Sequence, residues 1–312
     1  MPAIRPSFII VTPPGFGRLS ASLPMNTLVR LVHLFALCLA GGVALAAEQI
    51  KPPSEETPYV QTPQPVVDAM LSLAGVRATD FLIDLGSGDG RIVVTAATRF
   101  GVRGFGVDYD PRLVKLANEN AKKAGVDDRV RFVQEDLFKT DLHPATVITM
   151  YLLPEYNLNL RGRFLQQLRP GTRIVSHDYG MGEWQPDLSI EVPAPGKPVG
   201  LKQESKVLFW IVPAHFGGKW RMRVPSGGTW KDAVIDIDQR FQEFSGKVEM
   251  GGKSIELERP FLRGDYVSFR FQNGKSMVRF QGRVKEGRIV GQAATEDGKE
   301  YRWRALRLGA GS

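Results

Sequence analysis

Cysteine is almost missing: the 312 residues contain one, Cys38, and it lies in a leader-like stretch. Whatever follows that stretch has no thiol, so disulfides and a cysteine-built zinc site are excluded from it. No other run of side chains has the spacing of a metal-ligand cluster, and no metal is expected. Polar low-complexity tracts are also lacking, and the 43% hydrophobic content suits packed cores rather than disorder. A charge excess of one sign is present only on average. The net +8 divides into +3 over residues 1–47, −2 over residues 48–215 (19 Lys+Arg, 21 Asp+Glu) and +7 over residues 216–312 (19 against 12). Basicity therefore belongs to the last third and the leader. An anionic partner or a membrane surface would meet that third, or its arginines simply face solvent.

Long apolar runs are confined to the leader. Met25 and Arg30 precede the run Leu31–Ala40, interrupted by His33, and small residues follow up to Ala44-Leu45-Ala46-Ala47. A positive start, a short apolar centre and an Ala-x-Ala ending are the pattern of a secretory signal. Residues 1–24 carry no periodicity, and Met25 is the expected initiator. The expected location is the periplasm or another exported site; an uncleaved membrane anchor is the alternative, which the short apolar centre disfavours.

Residues 48–61 read as a polar, proline-broken linker. From there to residue 215, β-rich runs alternate with helical periods. Thr62 is placed to cap a helix with Pro63 at its first position and Val66, Val67, Met70, Leu71 and Leu73 on its apolar side. Strands are expected at Phe81–Leu85, Gly104–Val107, Val130–Val133, Val147–Met150 and Arg173–Ser176. Helices are expected at about Arg91–Arg99, Pro111–Ala124 and Glu155–Leu168. That alternation predicts a parallel sheet covered on both faces. Leu188–Val192 and Lys206–Val212 would add an antiparallel hairpin at its edge. After Gly217 helical periods stop. Short alternating runs are punctuated by turns such as Gly227-Gly228 and Asn273-Gly274, which predicts six to eight short strands in a small antiparallel barrel over residues 216–312.

In an open α/β sheet, ligands bind beyond the carboxyl ends of the strands. Asp84-Leu85 ends the first strand and Gly86-Ser87-Gly88-Asp89-Gly90 turns into a helix, with glycines where backbone must approach a ligand. Arg91 stands where a dinucleotide fingerprint needs its third glycine, which argues against a nicotinamide cofactor. Asp108 ends the second strand, where a carboxylate can accept from two ribose hydroxyls, and Asp136 follows the third, where it can accept from an adenine amino group. Each acid alone would pass as a loop or cap carboxylate; three in this order point to a nucleoside.

The segments Asp-Leu-Gly-Ser-Gly-Asp-Gly-Arg (84–91), Gly-Val-Asp-Tyr-Asp-Pro (106–111) and Tyr59-Val60-Gln61-Thr62-Pro63 resemble class I methyltransferases. Within that group they are most similar to the mitochondrial lysine methyltransferases of the adenine nucleotide translocase and ATP synthase, although Gln61 stands where that family has proline. The resemblance covers residues 58–185. It implies a Rossmann-like seven-stranded methyltransferase sheet over residues 62–215 and S-adenosyl-L-methionine as cofactor. It further implies that Tyr59 and Thr62 close over the methionine end and Asp84 meets its ammonium. Gly86, Ser87, Gly88 and Gly90 would cradle it, Asp108 take the ribose, and Tyr109 and Asp136 flank the adenine. Gly218-Lys219-Trp220 with Arg304 loosely resembles lipocalin-like barrels.

Methyl transfer needs an aligned nucleophile and, where required, a proton acceptor. The loop Tyr151-Leu152-Leu153-Pro154-Glu155 is the expected acceptor site, yet it lacks the Asn or Asp that many class I enzymes place before proline. Base or glutamine methylation is thereby disfavoured. Tyr151, Glu155 and His177 are the candidate catalytic residues, with His177 a candidate base; equally, His177 could satisfy backbone at a strand end and Glu155 suit a helix start. Tyr59, Tyr151 and Trp184 could wall in a cationic amine. The expected acceptor is a protein lysine or another amine, with nucleic acid disfavoured. The alternative is an exported, non-catalytic protein that binds a ligand or partner through the barrel.

Overall fold

The computed structural model describes residues 59–200 and 202–309; the leader with Cys38 and most of the expected linker lie outside the described residues. Helix α1 (Gln64–Leu73) buries Val66, Val67, Met70 and Leu71, the apolar side read from the sequence. Its N-cap is Pro63, one residue later than expected, and no side chain caps it. Thr62 does not cap because its hydroxyl is engaged elsewhere, as described below.

Five parallel strands follow: β1 (Phe81–Leu85), β2 (Arg103–Asp108), β3 (Val130–Gln134), β4 (Val147–Met150) and β5 (Arg173–His177). Between them run α2 (Arg91–Phe100), α3 (Pro111–Lys123) and α4 (Pro154–Gln167). The hairpin β6 (Leu188–Pro193) and β7 (Glu204–Ile211) completes a seven-stranded sheet of order β3-β2-β1-β4-β5-β7-β6, with β7 antiparallel to β5. The order reverses between β1 and β4, which places the ligand crevice beyond Leu85. The central strands are buried on both faces because helices cover both. One apolar cluster joins α1, α2 and α3 to one face, and a second joins α4, Trp184 and Trp210 to the other.

A nine-stranded antiparallel sheet follows, more strands than the six to eight expected. Its strands are β8 (Gly218–Ser226), β9 (Thr229–Arg240), β10 (Glu243–Met250), β11 (Lys253–Glu256), β12 (Glu258–Arg263), β13 (Tyr266–Asn273), β14 (Ser276–Lys285), β15 (Arg288–Thr295) and β16 (Glu300–Arg307). The order β11-β10-β9-β8-β16-β15-β14-β13-β12 brings the chain-adjacent strands β11 and β12 to the two edges of a nearly closed barrel. Its interior is filled by buried rings, among them Trp220, Phe269, Phe271, Phe280 and Trp303. Phe269 and Phe271 each stack on Phe280 at 5.3 Å. A barrel packed with aromatics gives no support to a ligand-carrying role.

The two sheets meet away from the ligand crevice. Ala214 N donates to Gly264 O at 2.8 Å, and Gly264 lies against Gly171, which precedes β5. Phe241, between β9 and β10, stacks on Trp184 with ring centroids 5.8 Å apart. These contacts adjoin the amino end of β5, the edge opposite the glycine turn.

Candidate active site

The glycine turn is built by backbone that only glycine adopts cheaply. Gly86, Gly88 and Gly90 all have positive φ (73°, 55° and 79°), and Gly90 is the left-handed N-cap of α2. The amides of Gly86 and Ser87 both donate to Val107 O, at 3.0 and 2.9 Å, which holds the turn against β2. A Cβ on Gly88 would come within 2.5 Å of the Tyr59 ring, so the ring lies directly on the turn. Leu152 lies over Gly86 in the same manner. Segments from before β1 and after β4 thus converge on the turn.

Asp108 ends β2 with both carboxylate oxygens fixed: Gly88 N donates to one at 2.8 Å and Asp110 N to the other at 3.0 Å. Charged acceptors of this kind retain lone pairs for further donors such as hydroxyls. Asp84 is buried at the end of β1 and accepts from the Thr149 hydroxyl at 2.7 Å. Burial pushes its carboxyl up to about 7; the Thr149 hydrogen bond opposes this, and the Asp108 and Asp89 charges add to it. A buried carboxyl next to other acids calls for a cationic partner. Ser87 Oγ is buried without a hydrogen-bond partner, a further unsatisfied polar atom in the turn. The turn, the fixed acid on β2 and the cation-seeking acid on β1 fit a nucleoside carrying an amino acid, the shape of S-adenosyl-L-methionine.

The adenine-side residues are more open. Tyr109 is exposed, and the oxygen Gln134 Nε2 donates to is its carbonyl. Asp136 turns one carboxylate oxygen to Phe138 N at 2.9 Å and leaves the other near Lys139, at 3.7 Å.

Two residues important to this site were not singled out as binding residues from the sequence. Asp89 and Arg91 form a paired fork, Arg91 Nη2 donating to Asp89 at 2.6 Å, while Arg91 Nη1 donates to Thr62 O at 2.9 Å. Burial works against the Asp89 charge, but the Arg91 hydrogen bonds and charge outweigh it and hold the carboxyl below its usual range. The pair ties the Tyr59–Pro63 segment to the glycine turn. Arg91 was legible only as the residue that breaks a dinucleotide fingerprint.

On the acceptor side, Tyr151 packs against His177 with ring centroids 3.8 Å apart and planes tilted by 30°, and Tyr179 stacks near Tyr151 at 6.1 Å. Burial pushes the Tyr151 hydroxyl up to about 12, with Asp178 and Tyr179 adding to it. The role of base does not suit His177. Its side chain is wholly buried, and both ring nitrogens are engaged: Nδ1 with the Thr62 hydroxyl at 3.2 Å and Nε2 with the Ser205 hydroxyl at 2.8 Å. Burial pulls its pKa down to about 4; Asp178 opposes this and Lys197 reinforces it. Glu155 is exposed in the first turn of α4. Trp184 is fully buried beneath Phe241 and forms no part of an acceptor wall. Asn157, buried on α4, donates to Tyr179 O at 3.0 Å and fixes the loop after β5.

With the geometry in place, the chain can be set beside known proteins. The ANTKMT methyltransferase domain matches residues 84–188. A protein-lysine N-methyltransferase of Saccharolobus islandicus is 42% identical over 136 residues, covering 43% of this chain and 84% of that protein. This chain belongs to that methyltransferase family. The mouse adenine nucleotide translocase lysine N-methyltransferase is 36% identical over 42% of this chain and 57% of its own length. A solved RNA methyltransferase of Salinibacter ruber, in complex with S-adenosyl-L-homocysteine, is 53% identical, covers 49% of this chain and 93% of its own, and superposes with a TM-score of 0.44. As a member of the family the chain is an S-adenosylmethionine-dependent methyltransferase. The matched segment ends at Leu188, the first residue of β6, so the barrel lies outside it.

Proposed function

We propose that this methyltransferase modifies a lysine side chain of a protein, and that it does so outside the cytoplasm. The observation that carries the acceptor reading is Tyr151, the first residue after β4, packed against His177 with Tyr179 beside it. Aromatic faces attract a cationic or alkyl-ammonium group, and the Tyr151 hydroxyl, raised by burial to about 12, is not a base at neutral pH. When bound, S-adenosyl-L-methionine supplies an electrophilic methyl group. The residues that would hold it are Asp108 for the ribose, Asp84 for the ammonium, and the Gly86–Gly90 turn for close approach. Tyr59 and Thr62 close the methionine end, the latter steadied by His177. In this reading His177 is a positioning residue: its two hydroxyl partners join the segment before α1 to β7, and its ring supports Tyr151. The lysine ammonium is held by aromatic faces and loop carbonyls, and gives its proton to solvent before the amine attacks. The relatives named for protein lysine support the acceptor class. The Met25–Ala47 pattern supports export.

Titration calorimetry tests the cofactor site: the parent should bind S-adenosyl-L-methionine 1:1. Asp108→Ala should weaken binding on the order of 10- to 100-fold, the loss of hydrogen bonds to a charged acceptor. Incubation with methyl-labelled cofactor and a cell-envelope fraction tests the acceptor. Label should enter protein and survive acid hydrolysis as methyl-lysine; label found only in small molecules or in RNA would reject the reading. The mature amino terminus, read from protein isolated by cell fractionation, tests export.

A further inference from the structure

The charge excess of the last third is concentrated on one outer face of the barrel. Along β14, β15, β16 and β8, alternate residues such as Phe280, Ile289, Trp303 and Trp220 fill the interior, so the intervening residues share the outside. The register sets them in rows. Lys285 faces Arg288, Arg288 faces Leu306, and Leu306 faces Arg221. Two residues along, Arg283 faces Val290 and Val290 faces Arg304. With strands about 4.8 Å apart, the face spans roughly 15 Å by 20 Å.

Arg221, Arg279, Lys285, Arg288, Arg302 and Arg304 are all exposed there, and none has an ion-pair partner among the described residues. Glu300 is the one acid at these outward positions on the four strands. Set among the cations are two exposed apolar side chains, Val290 at 52% and Leu306 at 59% exposure.

We propose that this face docks on an anionic lipid bilayer. Unpaired arginines and a lysine match a negative surface, and their long alkyl stems lie along apolar neighbours while the charged ends reach headgroups. Val290 and Leu306 project from the face between its cations, where they enter the headgroup boundary; a purely solvated face has no need of them. A single-stranded nucleic acid would also match the charge, but it binds through aromatic side chains on which bases stack. The outward positions of these four strands carry no aromatic residue.

The test is flotation of the full chain with phosphatidylcholine vesicles, with and without 30% phosphatidylglycerol, in about 0.1 M salt, beside a labelled single-stranded RNA. The parent should bind the anionic vesicles at least tenfold more tightly than the neutral ones and more tightly than the RNA. Each cation near such a surface is worth about a factor of five, so the triple variant Arg288→Gln/Arg302→Gln/Arg304→Gln should lose on the order of a hundredfold. The leader is common to both chains, so the difference isolates the face. Unchanged thermal unfolding and unchanged affinity for S-adenosyl-L-methionine show that the variant is intact. Anionic-vesicle binding that the triple variant retains would overturn the proposal, as would tighter binding to RNA than to vesicles.

Discussion

Asp84 and His177 are two buried titratable groups at the ends of β1 and β5, with β4 between them, and burial acts on them in opposite directions. The Asp84 carboxyl is raised to about 7. Between the ordinary carboxylate range, about 3.9, and 7 the folded protein therefore holds a proton that the unfolded chain has lost. Stability falls as pH rises through that window. His177 is depressed to about 4. From there to the ordinary histidine value, about 6.5, the unfolded chain holds the extra proton, so stability rises with pH. The two slopes offset each other in the parent. Asp84→Asn should remove one of them, and its stability, read from urea unfolding between pH 4 and 6.5, should climb with pH more steeply than the parent's. The same residue governs linkage with the cofactor. An ammonium beside Asp84 requires the ionised form, so near pH 6 binding should release a proton, seen by calorimetry in buffers of unlike ionisation enthalpy. Asp84→Asn should abolish that release.

Among the elements, the turn from β1 into α2 gathers chain from before β1 and from after β4. Gly88 has φ of 55° and lies under the Tyr59 ring, whereas Gly75, just past α1, has φ of 57° and nothing within 4 Å of an added Cβ. Alanine at either position costs about 1–2 kcal/mol for a left-handed backbone. Only Gly88→Ala should also displace Tyr59, and cofactor affinity should fall at least tenfold, while Gly75→Ala leaves affinity unchanged. Comparing calorimetric binding with thermal unfolding for the two variants separates the effects. The parallel strands were legible because buried strands read as continuous apolar runs. The acids at their ends were legible because strand ends are where such sheets bind ligands. Thr62 misled as a helix cap: a hydroxyl before Pro63 has the right local pattern, but His177, 115 residues later, takes it instead. His177 in turn looked like a base because a histidine after a strand at the crevice has that chemistry; its burial between Thr62 and Ser205 depends on β7, which no local pattern reveals. Arg91 was read for what it excludes, since its bond to Thr62 O crosses 29 positions of sequence.

Taken whole, the molecule joins a family domain to a filled barrel through a small set of rings and backbone contacts. Phe241 stacks on Trp184 with the rings 12° from parallel, and the Arg161 guanidinium lies over the Phe241 ring, 5.6 Å from its centroid. Phe241→Ala should cost about 2 kcal/mol, below the loss for a fully buried ring because Phe241 is half-buried. Calorimetry should then resolve two unfolding transitions where the parent has one, because the variant weakens the joint and leaves both cores intact. The contacts reach the amino end of β5 and leave the crevice at the carboxyl ends open, an arrangement suited to a barrel that locates the enzyme rather than shapes its pocket.

What the sequence by itself determined is whatever depends on local pattern: the strand–helix alternation, the glycine turn, the acids at the ends of β1 and β2, the cofactor, and the shift of positive charge to the last third. The tertiary structure decided what depends on pairing across distance. Cross-strand register alone shows that the barrel's cations share one face with Val290 and Leu306, and burial alone turns His177 from a base into a support. A side chain's chemistry is written in its residue type, but its protonation, its partners and the face it shares are set by neighbours that folding brings from elsewhere in the chain.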